Sequence, residues 1–215
     1  MRHLLSIVLA TANEGKLTEL RALLAETPVQ WANLRDVMGD KPQLVEDGDT
    51  FEANAVSKAK QVCAATGMVA LADDSGLEVE GLGGRPGVRS RRYAHDRATD
   101  AENNAALLRE LEELEGEARA ARFRCVLALA CPFSGEVTVV EGRCDGRIAR
   151  TPRGSGGFGY DPLFVVDSHG GRAMAELGEV EKNEVSHRAR AARALRPALA
   201  ALVLRALDEA ERIAG

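Results

Sequence analysis

A chain of 215 residues with 45% hydrophobic and 28% charged side chains has an ordinary globular composition and the length of one domain, or of one domain in two lobes. Its net charge of −5 argues against a nucleic-acid backbone as the main partner, since that calls for a basic surface, but leaves room for a local basic pocket that takes a small anion. The four cysteines form no C-x-x-C pair, and three lie in apolar runs, as buried thiols in a reducing compartment do; with no secretory leader pattern and no apolar run of about 18 residues, a cytoplasmic protein without a membrane segment is expected.

In chain order, His3 to Ala10 reads as a strand. Glu14 to Ala25 reads as a helix, with Leu17, Leu20, Leu23 and Leu24 at helical spacing. Val29 to Leu34 is a second strand, and Thr50 to Ala65 a helix with Phe51, Ala55, Ala59 and Val62 on one face. Met68 to Ala72 reads as a short buried strand that ends at Asp73 and Asp74, where Asp-Ser-Gly has turn chemistry. Ala101 to Leu114 is an amphipathic helix with Asp100 as its N-cap. Ala121 to Cys131 and Glu136 to Arg147 form a hairpin around the turn PFSG, and Leu163 to Val166 is a further short strand. From Ser186 an Ala-, Leu- and Arg-rich helix runs to the end, with a bend expected at Pro197. No repeat or linker interrupts the pattern. It predicts a single α/β domain over residues 1–215, with a mixed, partly antiparallel central sheet flanked by helices.

Four stretches carry chemistry. Ala10 to Leu17, ATANEGKL, sits where a strand yields to a helix, as a P-loop does, and keeps the second Gly and the Lys as Gly15 and Lys16. Ala10 replaces the first Gly and Leu17 the magnesium-binding Ser or Thr, so a Walker-type nucleotide grip is rejected. A helix start with Asn13 as N-cap and Lys16 in the first turn still favours an anion, although a capped helix with an exposed lysine explains the same letters. Gly154 to Gly159, GSGGFG, matches the dinucleotide fingerprint in letters only, since Pro152 precedes it and Asp161-Pro162 forbids a helix after it. It reads equally as a flexible surface loop or as a glycine-rich loop whose Phe158 and Tyr160 can cover a base.

The adjacent acids Asp73 and Asp74 repel each other, which a cation or a proton-transfer role offsets, and on a strand they face opposite sides. Glu46, in LVEDGDTF, adds a third acid before a helix, and magnesium commonly takes one or two carboxylates plus phosphate oxygens. In EVEKNEVSHRARA, Ser186 caps a helix that opens with His187 and Arg188. Positive charge is misplaced there against the helix dipole unless an anion faces it, although a charged, solvated helix face explains the same letters and is the commoner origin of such a run.

Taken together, LATANEGKLTEL, FEANAVSKA, ADDSGLEVEGLGGRPGVRSRRYA, GSGGFGYDPLF and EKNEVSHRARA resemble the non-standard purine nucleoside triphosphate pyrophosphatases, the inosine/xanthosine triphosphatase family. The resemblance covers nearly the whole chain and implies two lobes around a nucleotide cleft and, typically, a homodimer. It assigns Thr11, Ala12, Asn13, Glu14, Gly15 and Lys16 to the triphosphate, with Lys58 a further phosphate-facing lysine. Asp74 becomes the proton acceptor and a Mg2+ ligand, with Ser75 beside it at the substrate. The second metal ligand falls on Glu46, with the neighbouring Asp47 as alternative. Phe158, Gly159, Tyr160 and Asp161 match the base-binding loop, and Lys182, His187 and Arg188 the remaining base and sugar contacts. Two positions depart from the family pattern: Ala12 stands for a common Gly, and Arg91 is extra in Ser90-Arg91-Arg92-Tyr93.

The implied reaction is hydrolysis of ITP, dITP or XTP to the monophosphate and pyrophosphate, with Asp74 and Lys16 catalytic. The rival readings are a related pyrophosphatase for other modified nucleotides and a nucleotide-binding sensor that does not hydrolyse.

Overall fold

The computed structural model describes residues 5–39 and 44–214; His3 and Leu4, included in the first strand read from the sequence, lie outside the described residues. Six strands form one sheet in the order β2-β1-β3-β4-β5-β6: β1 Leu5–Leu9, β2 Val29–Asn33, β3 Val69–Val79, β4 Ala120–Ala130, β5 Val137–Ile148 and β6 Phe164–Val166. β1 runs parallel to both neighbours, and every pairing from β3 to β6 is antiparallel. The helices are α1 Glu14–Leu23, α2 Leu34–Met38, α3 Phe51–Thr66, α4 Asp100–Glu110, α5 Glu179–Val185 and α6 His187–Ala214. The mixed sheet flanked by helices agrees with the sequence reading, as does the β4–β5 hairpin. Among the described residues no helix is long and apolar enough to cross a membrane.

Alternation along the strands sorts the core into layers. Ile7, Leu9, Leu71 and Leu127 face Leu20 of α1 and Leu195 and Leu199 of α6. Val8, Ala70, Ala72 and Val126 face Ala55, Ala59 and Val62 of α3. At the far end of the sheet Leu77, Phe123 and Phe164 pack with Leu107 and Leu111 of α4 and with Leu163 and Met174. This third cluster forms a second lobe beyond the middle of β3.

Three local expectations change: at β3, at the cap of α4 and at the thiols. β3 does not stop at Ala72: it continues through Asp-Asp-Ser-Gly to Val79, because β4 pairs with it from Ala70↔Ala130 to Val79↔Ala121. The two aspartates therefore sit in mid-strand rather than at a turn. α4 is capped by Thr99, not Asp100. The Glu102 N–H donates to Thr99 Oγ1, and the Thr99 N–H and hydroxyl both donate to Glu102 Oε2, a reciprocal capping box that Asp100 cannot make. α6 remains helical through Pro197. Of the four free thiols, Cys125 and Cys144 are buried, while Cys63 and Cys131 are half-exposed.

Ser186 caps α6 as expected, accepting from the Ala189 N–H at 3.1 Å. The helix start lies so close to β5 that a Cβ on Gly142 would stand 2.2 Å from the His187 carbonyl oxygen and 2.3 Å from the Ala191 nitrogen. Neither backbone atom can yield without moving the helix. Gly142→Ala is therefore expected to cost about 1–3 kcal/mol and to lower Tm by roughly 2–12 °C in a thermal melt.

Candidate active site

The site starts where β1 ends. Ala10 N–H still reaches across to the Leu71 carbonyl (2.8 Å), and then the chain turns, with Asn13 N–H donating to Thr11 Oγ1 (3.2 Å). Asn13 caps α1 through its Oδ1, which accepts from the Lys16 N–H at 3.1 Å. Thr11, Ala12, Asn13 and Lys16 all line one cleft of about 620 Å³, a size in the usual range for small-molecule sites. Glu14 and Gly15 do not line it. The Glu14 carboxylate turns outward to Arg35 (3.4 Å), and Gly15 serves another purpose: a Cβ there would lie 2.7 Å from the ring of Phe158. The glycine is what lets that ring rest on the start of α1.

The pleat of β3 sends its two acids to opposite layers, as the sequence implies. Asp73 faces α1 and α6, where Oδ1 lies 2.5 Å from Lys16 Nζ and Oδ2 accepts from Arg188 Nε at 2.8 Å. The Ser75 hydroxyl and the Cys125 thiol also donate to it, at 2.9 and 3.2 Å. Burial alone would raise the Asp73 pKa, but Arg188 and Lys16 outweigh burial and hold the carboxyl well below the usual range.

Asp74 faces α3. Its Oδ1 accepts from Lys58 Nζ at 2.8 Å and its Oδ2 from Asn54 Nδ2 at 3.3 Å. Here burial prevails: it pushes the Asp74 pKa up, Lys58 and Lys16 offset only part of that, and Glu46 adds to it. The same Lys58 ammonium also meets Glu46 Oε1 at 3.0 Å and donates to the Asp73 carbonyl at 2.9 Å. Burial opposes its charge, but Asp74 and Glu46 prevail and raise its pKa. Asn54 ties the acidic loop down, accepting from the Gly48 N–H (2.8 Å) and donating to its carbonyl (3.2 Å). Glu46 lines the cleft; its neighbour Asp47 does not.

Among the described residues no three His, Cys, Asp or Glu side chains gather as a metal cage. Asp74 and Glu46 do converge on one cation, the Lys58 ammonium. Two carboxylates sharing a cation are a donor set that suits Mg2+ when substrate phosphate and water complete the shell. The residues present fit the group.

The glycine-rich loop forms the opposite wall. Asp161, buried at its root, accepts from Lys182 Nζ (2.6 Å) and from the Phe158 N–H (3.0 Å). At Gly157, where φ is +73°, a Cβ would stand 2.1 Å from that carboxylate, so only glycine fits. Lys182 and Arg188 both lie over the Phe158 ring, at 5.2 and 5.7 Å from its centroid. Tyr160 donates its hydroxyl to the Ser90 carbonyl at 2.9 Å. His187 stacks on Phe123, with centroids 4.7 Å apart and rings 15° from parallel. Burial, reinforced by Arg188, pushes its pKa well down, so the imidazole is neutral. Its Nδ1 is buried without a hydrogen-bond partner among the described residues.

The cleft thus brings together Lys16, Lys58, Asp74, Ser75, Glu46, Phe158, Gly159, Tyr160, Asp161, Lys182, His187 and Arg188. Sequence reasoning did not single out Glu19, which pairs with Lys182 Nζ (2.6 Å) and with Arg188, nor Asn54 or the anchoring part played by Asp73. Position 19 lies one helical turn after Lys16, on the inward face of α1. A carboxylate there is the one signal that would have pointed to a charged interior.

The chain is similar throughout to proteins of one group. Residues 7–198 match the model of the Ham1 family. A protein named dITP/XTP pyrophosphatase from Geobacillus kaustophilus is 51% identical over 185 residues, covering 86% of this chain and 89% of that one. Its namesake from Thermus thermophilus is 51% identical over 193 residues, covering 89% and 90%. The solved structure of a HAM1 protein from Coxiella burnetii superposes with a TM-score of 0.83 at 42% identity, over 92% of this chain and 99% of that one. The chain belongs to the Ham1 family.

Proposed function

We propose that the chain hydrolyses the non-standard purine nucleoside triphosphates dITP, XTP and ITP to the nucleoside monophosphate and pyrophosphate. The carrying observation is the cluster of Asp74, Lys58 and Glu46: a carboxylate of raised pKa, a buried ammonium and a second acid within 3.0 Å of that ammonium. It stands at one end of a cleft whose other end is aromatic. The naming of the relatives as dITP/XTP pyrophosphatases supports the same reaction.

In this reading the triphosphate lies along the start of α1 beside Lys16 and Lys58, which offset the charge that develops on the leaving pyrophosphate. Asp74 accepts a proton from a water that attacks the α-phosphorus, and the bond to the bridging oxygen breaks toward pyrophosphate. A raised pKa suits a carboxylate for this task, because a stronger base takes the proton more readily. Glu46 and Asp74 would hold Mg2+, which supplies charge neutralisation at phosphate oxygens. Phe158 covers the base, and Lys182, His187 and Arg188 border it. A cytoplasmic homodimer of single-domain chains completes the proposal and rests on the family resemblance.

The selectivity follows from donor and acceptor matching. A donor from His187, Arg188 or the loop backbone would meet the 6-oxo group of hypoxanthine or xanthine, whereas adenine offers a 6-amino donor there. Leaving such a pair unsatisfied costs about 1–3 kcal/mol, or roughly 5- to 150-fold.

Four outcomes test this. Pyrophosphate release with Mg2+ is expected from dITP and XTP and not at comparable rates from dATP, dGTP or dTTP; tight dITP binding without release would favour a sensor. Asp74→Asn should lower kcat about 10²- to 10⁴-fold in protein that still unfolds in one cooperative thermal transition. Because the carboxylate acts when deprotonated, kcat/KM should climb with pH along an acid limb; burial moves that limb up and Mg2+ on the same carboxylate moves it down, so it should shift to lower pH as Mg2+ is raised. That limb should vanish from the residual activity of the Asn variant. Replacing His187 by Phe, which keeps the stack on Phe123, should cut the preference for dITP over dATP by roughly 5- to 150-fold in competition assays.

A further inference from the structure

One helix grips a single residue of the aromatic loop through both of its backbone polar groups. The Gly159 N–H donates to Asp100 Oδ2 at 2.7 Å, and the Gly159 carbonyl accepts from Asn104 Nδ2 at 2.9 Å. Asp100 and Asn104 are one turn apart on α4, so a rigid surface presents an acceptor and a donor at fixed separation. Gly159 itself has φ +63°, a conformation that side-chain-bearing residues rarely adopt. Asp100 is free for this contact because Thr99 and Glu102 cap the helix without it. Asn104 pays for its place, since its Oδ1 is buried with no partner among the described residues. A polar group kept at that cost calls for a reason, and its one hydrogen bond goes to the loop.

The same helix reaches the other side of the cleft. Asn103 donates to the Arg91 carbonyl and accepts from the Ala94 N–H, both at 3.0 Å. Tyr160, next to the gripped glycine, is bonded to Ser90 in that segment. On the inner side the loop is held by Asp161 and Lys182. The inner anchor fixes the root of the loop, and α4 fixes its outer edge, immediately after Phe158.

We propose that Asp100 and Asn104 are positioning residues: by clamping Gly159 they set the pitch of the Phe158 ring and thereby the affinity for the base end of the substrate. They act through the ring and not on the reacting phosphate. The proposal rests on the nucleotide reading of the cleft given above.

Its test combines two measurements. Pyrophosphate release from dITP by Asp100→Ala and Asn104→Ala should show KM raised about 2- to 10-fold with kcat within about twofold, the signature of lost binding that does not change chemistry. Hydrogen–deuterium exchange of residues 154–161 in the protein alone should be faster in both variants. Asp100→Asn, which keeps an acceptor for the Gly159 N–H, should restore KM and exchange; if it fails to, Asp100 contributes its charge to the ligand and the clamp is overturned for that residue. In a Phe158→Ala background neither alanine change should raise KM further. Additive effects there, or unchanged exchange in both variants, would overturn the proposal. Should Asn104→Ala fold poorly in a thermal melt, the exposed Asp100 decides alone. Absence of pyrophosphate release by the unmodified protein would refute the hydrolase reading, while the exchange data would still decide the clamp.

Discussion

Desolvation penalises every charge on a buried strand, and β3 carries two carboxylates in adjacent positions at its centre. If both faced one side they would also repel each other. The pleat divides them, and each side must then deliver a cation to a fixed point. Lys16 at the head of α1 and Arg188 at the head of α6 answer Asp73; Lys58 in the middle of α3 answers Asp74. The placement of three helices on the sheet is therefore tied to one dipeptide.

The two acids end in different chemical states because their surroundings differ. Asp73 has a guanidinium, an ammonium, a hydroxyl and a thiol pointed at it, and its charge is secured. Asp74 has one ammonium, shared with Glu46, and a side-chain amide. The first is a structural anion that anchors the helix starts. The second stays at the edge of the cleft, poorly compensated, which is the condition under which a carboxylate is useful as a base. Arg188 shows the same division of labour. Its guanidinium donates to Asp73, Glu19 and Ser75, so the anion demanded at the start of α6 comes from the protein itself, and the guanidinium also lies over the Phe158 ring.

Periodicity made most of this fold legible. Leu17, Leu20 and Leu24 on α1, or Ala55, Ala59 and Val62 on α3, announce both the helix and its buried face. Asp-Ser-Gly in β3 was opaque because turn propensity is local, while the pairing with β4 that holds it extended comes from about fifty residues away. Gly76 fits the strand for a reason no local rule contains: a Cβ there would meet Ser90 Oγ at 2.4 Å. In the site, Lys16, Lys58, Asp74 and the residues of the glycine-rich loop were readable from their motifs, whereas Asp96, Asp100, Asn103 and Phe123 line the same cleft with no motif to mark them. Those that hold such residues in place were not readable either, since Glu19 contacts partners more than 160 positions away in the chain.

Gly15 shows how closely the two ends of the cleft are joined. In a Walker loop the corresponding glycine admits a phosphate to the backbone; here the space left by its missing methyl is filled by an aromatic ring from residue 158. The head of α1 and the base-side wall are therefore in van der Waals register, with no spacer between them. A shift of α1 carries Phe158 with it, and a tilt of the ring pushes back on the helix. The flat wall of the cleft is thus seated directly on the helix start that carries Lys16, in the room that one glycine leaves.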